Sequence, residues 1–182
     1  MKLYHGTSKE RGLKILNDKA IKCDNINRVY NKEGLVPTED GFVYLTNNKV
    51  LALYYANKTA VFENDEKLML FCVDINKEIL LPDFDEIKYT IKTTKEISSH
   101  TLDESLEFTQ SARVNFDINV DENFKFTELS SAKDYRNTTD QRKKVIEVVS
   151  IRNENNPYAL KYIEDFFSEE VKWNKIKEIV NE

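Results

Sequence analysis

The chain has 182 residues, and 27 Lys+Arg against 32 Asp+Glu leave a formal charge of −5, which excludes a generally basic nucleic-acid binder and permits only a locally basic face. Its AVILMFWYC fraction is 40%, but nine Tyr, ten Phe and one Trp supply enough burial area for one core. Only four Gly and three Pro occur, no linker divides the chain, and the 32% of charged residues are interspersed with apolar ones, so one folded domain over residues 1–182 is expected and a disordered chain is excluded.

The longest apolar run, Leu68 to Val73, falls far below the ~18 residues of a membrane span, and MKLYHGTSKERG lacks an apolar signal core. A cytoplasmic protein with no membrane partner is expected. Cys23 and Cys72 suit a reducing compartment, Cys72 as a buried small hydrophobe, and two cysteines and two histidines far apart give no zinc-ligand spacing.

In chain order, Lys2 to Tyr4 reads as a strand, and Thr7 or Ser8 caps a helix carrying Leu13, Ile15 and Leu16. Residues 22–41, punctuated by Gly34, Pro37 and Gly41, read as a long loop. Gly41 to Leu45 is a second strand, and Asn47 caps a helix with Val50, Leu51, Tyr54 and Tyr55 on helical spacing. Leu68 to Ile75 is a strand buried on both faces, and Glu78 to Leu81 extends the sheet until Pro82 stops it. The stretch from Asp83 to Gln110 is ambiguous, although Leu102 and Leu106 give residues 101–113 a helical spacing. Short strands follow over 115–120 and 124–127 around an Asp-Glu-Asn turn. Lys144 to Ile151, rich in β-branched residues, reads as a late strand, Pro157 opens a helix, and residues 169–180 read as a second amphipathic helix. The class is α+β or α/β.

Four of these segments resemble a known family. Tyr4-His5-Gly6-Thr7-Ser8, the helix ending Ile15-Leu16, Gly41-Phe42-Val43-Tyr44-Leu45-Thr46 and Ala52-Leu53-Tyr54-Tyr55-Ala56 are similar to the nicotinamide-pocket half of ADP-ribosyltransferases of the His-Tyr-Glu type, the class of the poly(ADP-ribose) polymerases and of diphtheria toxin. In that family a His-Gly pair follows the first strand, and a second Tyr stands eleven residues after the first, as Tyr55 stands after Tyr44. The resemblance covers residues 1–60 well, the middle hardly at all and the last strand loosely. It implies an α+β domain of two small split sheets with an NAD cleft between them, residues 1–60 forming the pocket half and residues 140–182 the catalytic strand and terminal helices. NAD is then a substrate, cleaved so that a single ADP-ribose passes to a macromolecule by glycosyl transfer.

Two Tyr rings suit the flat, positively charged nicotinamide, so Tyr44 and Tyr55 are expected to clamp it. His5 is expected to donate a ring N–H to a ribose hydroxyl, and Gly6, flanked by Thr7 in the binding set, to bring its backbone close to the nicotinamide amide. Breaking the glycosidic bond also calls for a carboxylate against the developing positive charge. Glu147, the only acid within the apolar run 145–151, is chosen beside His5 and Tyr44 as catalytic, with Glu128 as its competitor. Where the polymerases place a Ser eight residues past the first pocket Tyr, this chain has Ala52, so Thr46 or Ser8 substitutes or Gly6 holds the amide alone.

Rivals are a glycohydrolase that passes ADP-ribose to water, an RNA 2′-phosphotransferase of related fold, for which no phosphate-binding bases can be placed, and a binding module without turnover. The size resembles stand-alone bacterial or phage effectors or toxins, which makes an antitoxin a candidate partner. Residues 133–144 carry five cations against two carboxylates, a local +3, so nucleic acid stands beside protein as candidate acceptor.

Overall fold

Strand β1 (Lys2–Ser8) alternates its side chains between two layers, sending Leu3 into one buried cluster and Tyr4 into the other. The computed structural model describes residues 1–24, 38–92, 94–122, 124–136 and 140–176. Among these, β1, β3 (Val43–Thr46), β4 (Lys67–Asp74), β5 (Leu81–Pro82), β6 (Ser111–Val114), β8 (Lys125–Ser130) and β9 (Asn174–Lys175) form an antiparallel sheet in the order β5-β6-β3-β1-β4-β8-β9. A separate pair joins β2 (Ala20–Ile21) to β7 (Ile118–Asn119). The architecture is α+β, as expected.

Helices cover both faces. Ile15 and Leu16 of α1 (Lys9–Asp18) and Leu106 of α4 (Leu102–Phe108) pack against Leu3, Val43, Leu45, Phe71 and Val114. On the other face Leu53 and Ala56 of α2 (Lys49–Glu63), Val145 and Val148 of α5 (Asp140–Ser150) and Phe166 of α6 (Pro157–Glu169) pack against Tyr4, Leu68, Leu70 and Leu129. Cys72 is buried and free, as expected. The remaining helix, α3 (Phe84–Thr90), follows the edge strand β5. Pro82 sits within β5 opposite Ala112, at a sheet edge where its missing N–H is tolerated.

The start signals are the expected ones, with small shifts. Ser8 caps α1, Asn48 rather than Asn47 caps α2 by accepting from the Val50 and Leu51 amides, and Pro157 stands in the first turn of α6; a capping box of Thr101 and Glu104 on α4 was not anticipated.

Several expectations are corrected. Lys144 to Ile151 is no strand: residues 140–150 are helix α5, in which Val145, Val148 and Val149 recur at spacings of three and four and turn one face to the core. The low helix propensity of β-branched residues is a bias of tenths of a kcal/mol per residue, and burial of that face outweighs it. Over 170–175 the expected second helix is absent. Val171 is buried and Asn174–Lys175 pairs with β8, while 177–182 lie outside the described residues. Ser111 to Arg113, at the end of a stretch with helical spacing, is strand β6. Of the expected loop 22–41, positions 25–37 lie outside the described residues.

Gly6 fixes the contact between β1 and α2. A Cβ built there would stand 2.1 Å from the Ala52 carbonyl oxygen and 2.9 Å from Ala56 Cβ, so the helix lies directly on the strand. The obstacle is space, since it includes backbone that no rotamer change can clear. Gly6→Ala is expected to lower the unfolding free energy by about 2 kcal/mol or more, as overpacking at a rigid contact does, measured by denaturant titration. A variant as stable as the parent would contradict that close contact.

Candidate functional site

The sheet is pinched beside β1. With β4, β1 shares seven register pairs, from Lys2 with Asp74 to Ser8 with Leu68, but with β3 only one, Tyr4 with Thr46. Carried on in the same register, Gly6 would face Tyr44. Instead His5 Nδ1 lies 3.0 Å from the Tyr44 carbonyl oxygen. A carbonyl only accepts, so Nδ1 carries the proton and the ring is oriented by that bond.

A cleft of about 920 Å³ opens at this divide. His5, Gly6 and Thr7 line it from β1, Tyr44 from β3 and Tyr55 from α2, so all five residues expected to bind NAD share one cavity. Thr46, Ala52 and Ser111 line it as well, whereas Ser8 is buried and donates to Glu63 at 2.5 Å. Gly6 has a structural reason to be glycine, because its absent side chain would point at α2.

Helix α3 holds both tyrosines. The Tyr44 hydroxyl donates to Asp85 Oδ2 at 2.5 Å, and the Tyr55 hydroxyl donates to Glu86 Oε2 at 2.6 Å, so consecutive carboxylates fix the two rings. Burial, and then the charge of Glu86, raises the Tyr55 phenol pKa and keeps it a donor. Tyr55 also meets Tyr54 edge to face at 5.1 Å, and Lys58 Nζ stands 5.8 Å from its ring centroid. Behind Asp85, the buried Arg113 guanidinium stacks 3.9 Å from the Phe42 ring centroid and pairs with Glu39 at 2.7 Å and with Asp85 at 3.6 Å.

Asp83 caps α3 by accepting from the Glu86 amide at 3.0 Å. Its own amide donates to Ser105 Oγ, which donates to the Ser111 carbonyl, tying α3 to α4 and β6. Burial pushes the Asp83 carboxyl up to about 7, Glu86 and Asp85 add to the rise, and the Glu86 amide and Arg113 oppose it. The opposite wall differs: Arg11 and Lys14 line the cleft from α1, Arg11 paired with Glu63.

The two carboxylates chosen from sequence lie elsewhere. Glu147 stands on the exposed face of α5 and accepts from the Tyr162 hydroxyl at 2.8 Å, and Glu128 on β8 pairs with Lys9 at 3.0 Å; neither lines the cleft. Reading α5 as a strand put Glu147 in a sheet it does not enter. What the sequence reading missed is Asp83, Asp85, Glu86 and Arg113. The run Pro82-Asp83-Phe84-Asp85-Glu86 carries a helix-start signature, an Asp cap followed by an acidic first turn.

Within the basic segment, Arg142 donates to the Ala132 carbonyl and stacks 5.2 Å from the Tyr135 ring centroid, and Lys144 pairs with Glu170 at 2.5 Å, so part of its charge is engaged. Residues 140–144 belong to α5 and are ordered helix; 137–139 lie outside the described residues. Cys23, Asp24 and Asp117 have ligand atoms within 4.8 Å of one another, and Asp117 accepts from the Cys23 amide. No helix among the described residues is long and apolar enough to cross a membrane. No protein-family model matches the chain, and no curated protein matches it.

The raised Asp83 pKa has a sign that can be measured. The folded state holds this proton up to about pH 7, whereas the unfolded chain releases it near pH 4, so stability falls as pH rises through that window. Asp83→Asn stays neutral and keeps a good cap. Its stability relative to the parent is expected to improve by on the order of 3 kcal/mol between pH 4 and pH 8, read from denaturant melts across pH. A difference that does not change with pH would contradict the buried-carboxyl assignment.

Proposed function

We propose that this chain is an ADP-ribosyltransferase-type domain that binds NAD in the cleft between β1 and β3, breaks the nicotinamide–ribose bond and passes one ADP-ribose to a macromolecular acceptor. The observation that carries this reading is the convergence of His5, Gly6, Tyr44 and Tyr55, singled out by sequence resemblance alone, on one cavity. In place of the two split sheets expected, β1 and β3 are neighbours in one seven-stranded sheet, and their single register pair leaves room for a cleft between the His-Gly strand and the strand of the first Tyr. Its volume falls within the ~300–1,000 Å³ of small-molecule sites.

The chemistry of the walls agrees. A pyridinium ring gains from aromatic faces and nearby carboxylates, both offered beside α3, and Lys14 on α1 supplies a cation for a phosphate. His5, oriented by its hydrogen bond to the Tyr44 carbonyl, is assigned to hydrogen-bond a ribose hydroxyl. As the C1′–N1 bond breaks, its electron pair goes to nicotinamide and neutralises the pyridinium. The positive charge passes to the ribose, and an acceptor nucleophile then bonds C1′ and loses its proton to solvent. Water in place of that acceptor makes the reaction a glycohydrolysis.

One observation favours a second reading, a module that binds NAD without turning it over: Glu147, the carboxylate chosen for catalysis, lies outside the cleft. Calorimetry with NAD and chromatographic detection of nicotinamide separate the two. The purified protein is expected to bind NAD and release nicotinamide, faster with acceptor present. His5→Ala and Tyr55→Ala are expected to raise KM for NAD about tenfold or more, the loss of about one hydrogen bond or one ring contact. Folded variants that bind NAD like the parent would overturn the assignment of the cleft.

A further inference from the structure

The reaction needs an ionised carboxylate near the ribose, and the sequence placed it on an element that does not reach the cleft. We propose that Glu86, on α3, supplies it. This rests on the NAD reading and deepens it, because it replaces the strand-borne acid of the resembling family with one carried by a helix.

The choice follows from what each cleft carboxylate already faces. To stabilise charge developing on a ribose, a carboxylate must be ionised, must face the cavity and must not be neutralised by a neighbouring cation. Glu63 is taken by Arg11, and Asp18 by Lys22 at 2.7 Å. Asp85 accepts from Tyr44 and from the Glu39 amide and stands 3.6 Å from Arg113, so its charge is largely compensated. Asp83 is 4% exposed and spent on the helix cap. Glu10, Asp24 and Asp117 are exposed, where water screens them, and Asp117 also accepts from the Cys23 amide.

Glu86 differs on each count. It lines the cleft and is half-buried, and its hydrogen-bond partners are neutral hydroxyls, Tyr55 on Oε2 at 2.6 Å and Thr90 on Oε1 at 3.2 Å. Lys58 lies within electrostatic range, with its Nζ 5.8 Å from the Tyr55 ring centroid. Tyr55 therefore does two things: its ring meets the nicotinamide, and its hydroxyl aims Glu86 without discharging it. The step balances as written above, with Glu86 remaining a carboxylate throughout; it forms no bond and takes no proton.

The test uses the full chain and NAD, with nicotinamide release and calorimetric binding read side by side. Glu86→Gln keeps an acceptor for the Tyr55 hydroxyl and removes only the charge. It is expected to lower kcat about 10²–10³-fold with KM for NAD within about threefold, while Glu86→Asp, which keeps the charge, recovers part of kcat. Glu147→Gln, outside the cleft, is the control expected within twofold of the parent. A folded Glu86→Gln with kcat within twofold of the parent, alongside a His5→Ala that raises KM, overturns Glu86 and leaves the NAD reading standing. A parent that binds NAD and releases no nicotinamide overturns Glu86 in favour of a binding module. A parent that does neither overturns both.

Discussion

The joint between β1 and β3 decides what the rest of this protein can be. A strand in the middle of an antiparallel sheet ordinarily satisfies its backbone on both sides, and β1 does so along seven pairs with β4 but at only one pair with β3. Two features of β1 mark this joint. Gly6 lets α2 press onto the strand, and the His5 ring takes the Tyr44 carbonyl that a continued ladder would use. Packing and side-chain hydrogen bonding thus substitute for sheet, and the opening is the cleft.

The cleft is then furnished from elements distant in sequence. Helix α3 follows the edge strand at Pro82, and its anchor through Ser105 to the Ser111 carbonyl fixes it beside the pinch. From there Asp85 and Glu86 reach Tyr44 and Tyr55, residues that resemblance pairs by their spacing and that the fold pairs through one short helix. Burial weighs most on Asp83, whose carboxyl it pushes up to about 7, with Glu86 and Asp85 adding to the rise. Both signs of charge line the cavity: Asp83, Asp85 and Glu86 come from α3, and Arg11 and Lys14 stand on α1 beside Glu10 and Asp18.

The first 60 residues were the most legible because local rules govern them: alternation in β1, a Ser cap, Gly41 before β3 and helical spacing in α2 all point one way. The cleft-lining positions His5, Gly6, Thr7, Tyr44 and Tyr55 were singled out by the family resemblance, and the fold brings them to one cavity. Glu147 was misread because Val145, Val148 and Val149 satisfy both a β-branched composition and a helical face, and only the surface formed by α2, β8 and α6 decides between them. α3 was lost because seven residues show too little periodicity to stand out, so only its cap signals it. The pairing of Arg113 with Asp85 and Glu39 is long-range and leaves no local trace.

The most direct measurement is a crystal structure of the protein soaked with NAD or nicotinamide. The nicotinamide ring is expected in the β1/β3 cleft, its centroid within about 4.5–7 Å of the Tyr44 or Tyr55 ring, with His5 beside the ribose. A cleft that stays empty at millimolar NAD, or a dinucleotide bound away from His5 and Tyr55, would contradict the reading of this divide in the sheet as an NAD site.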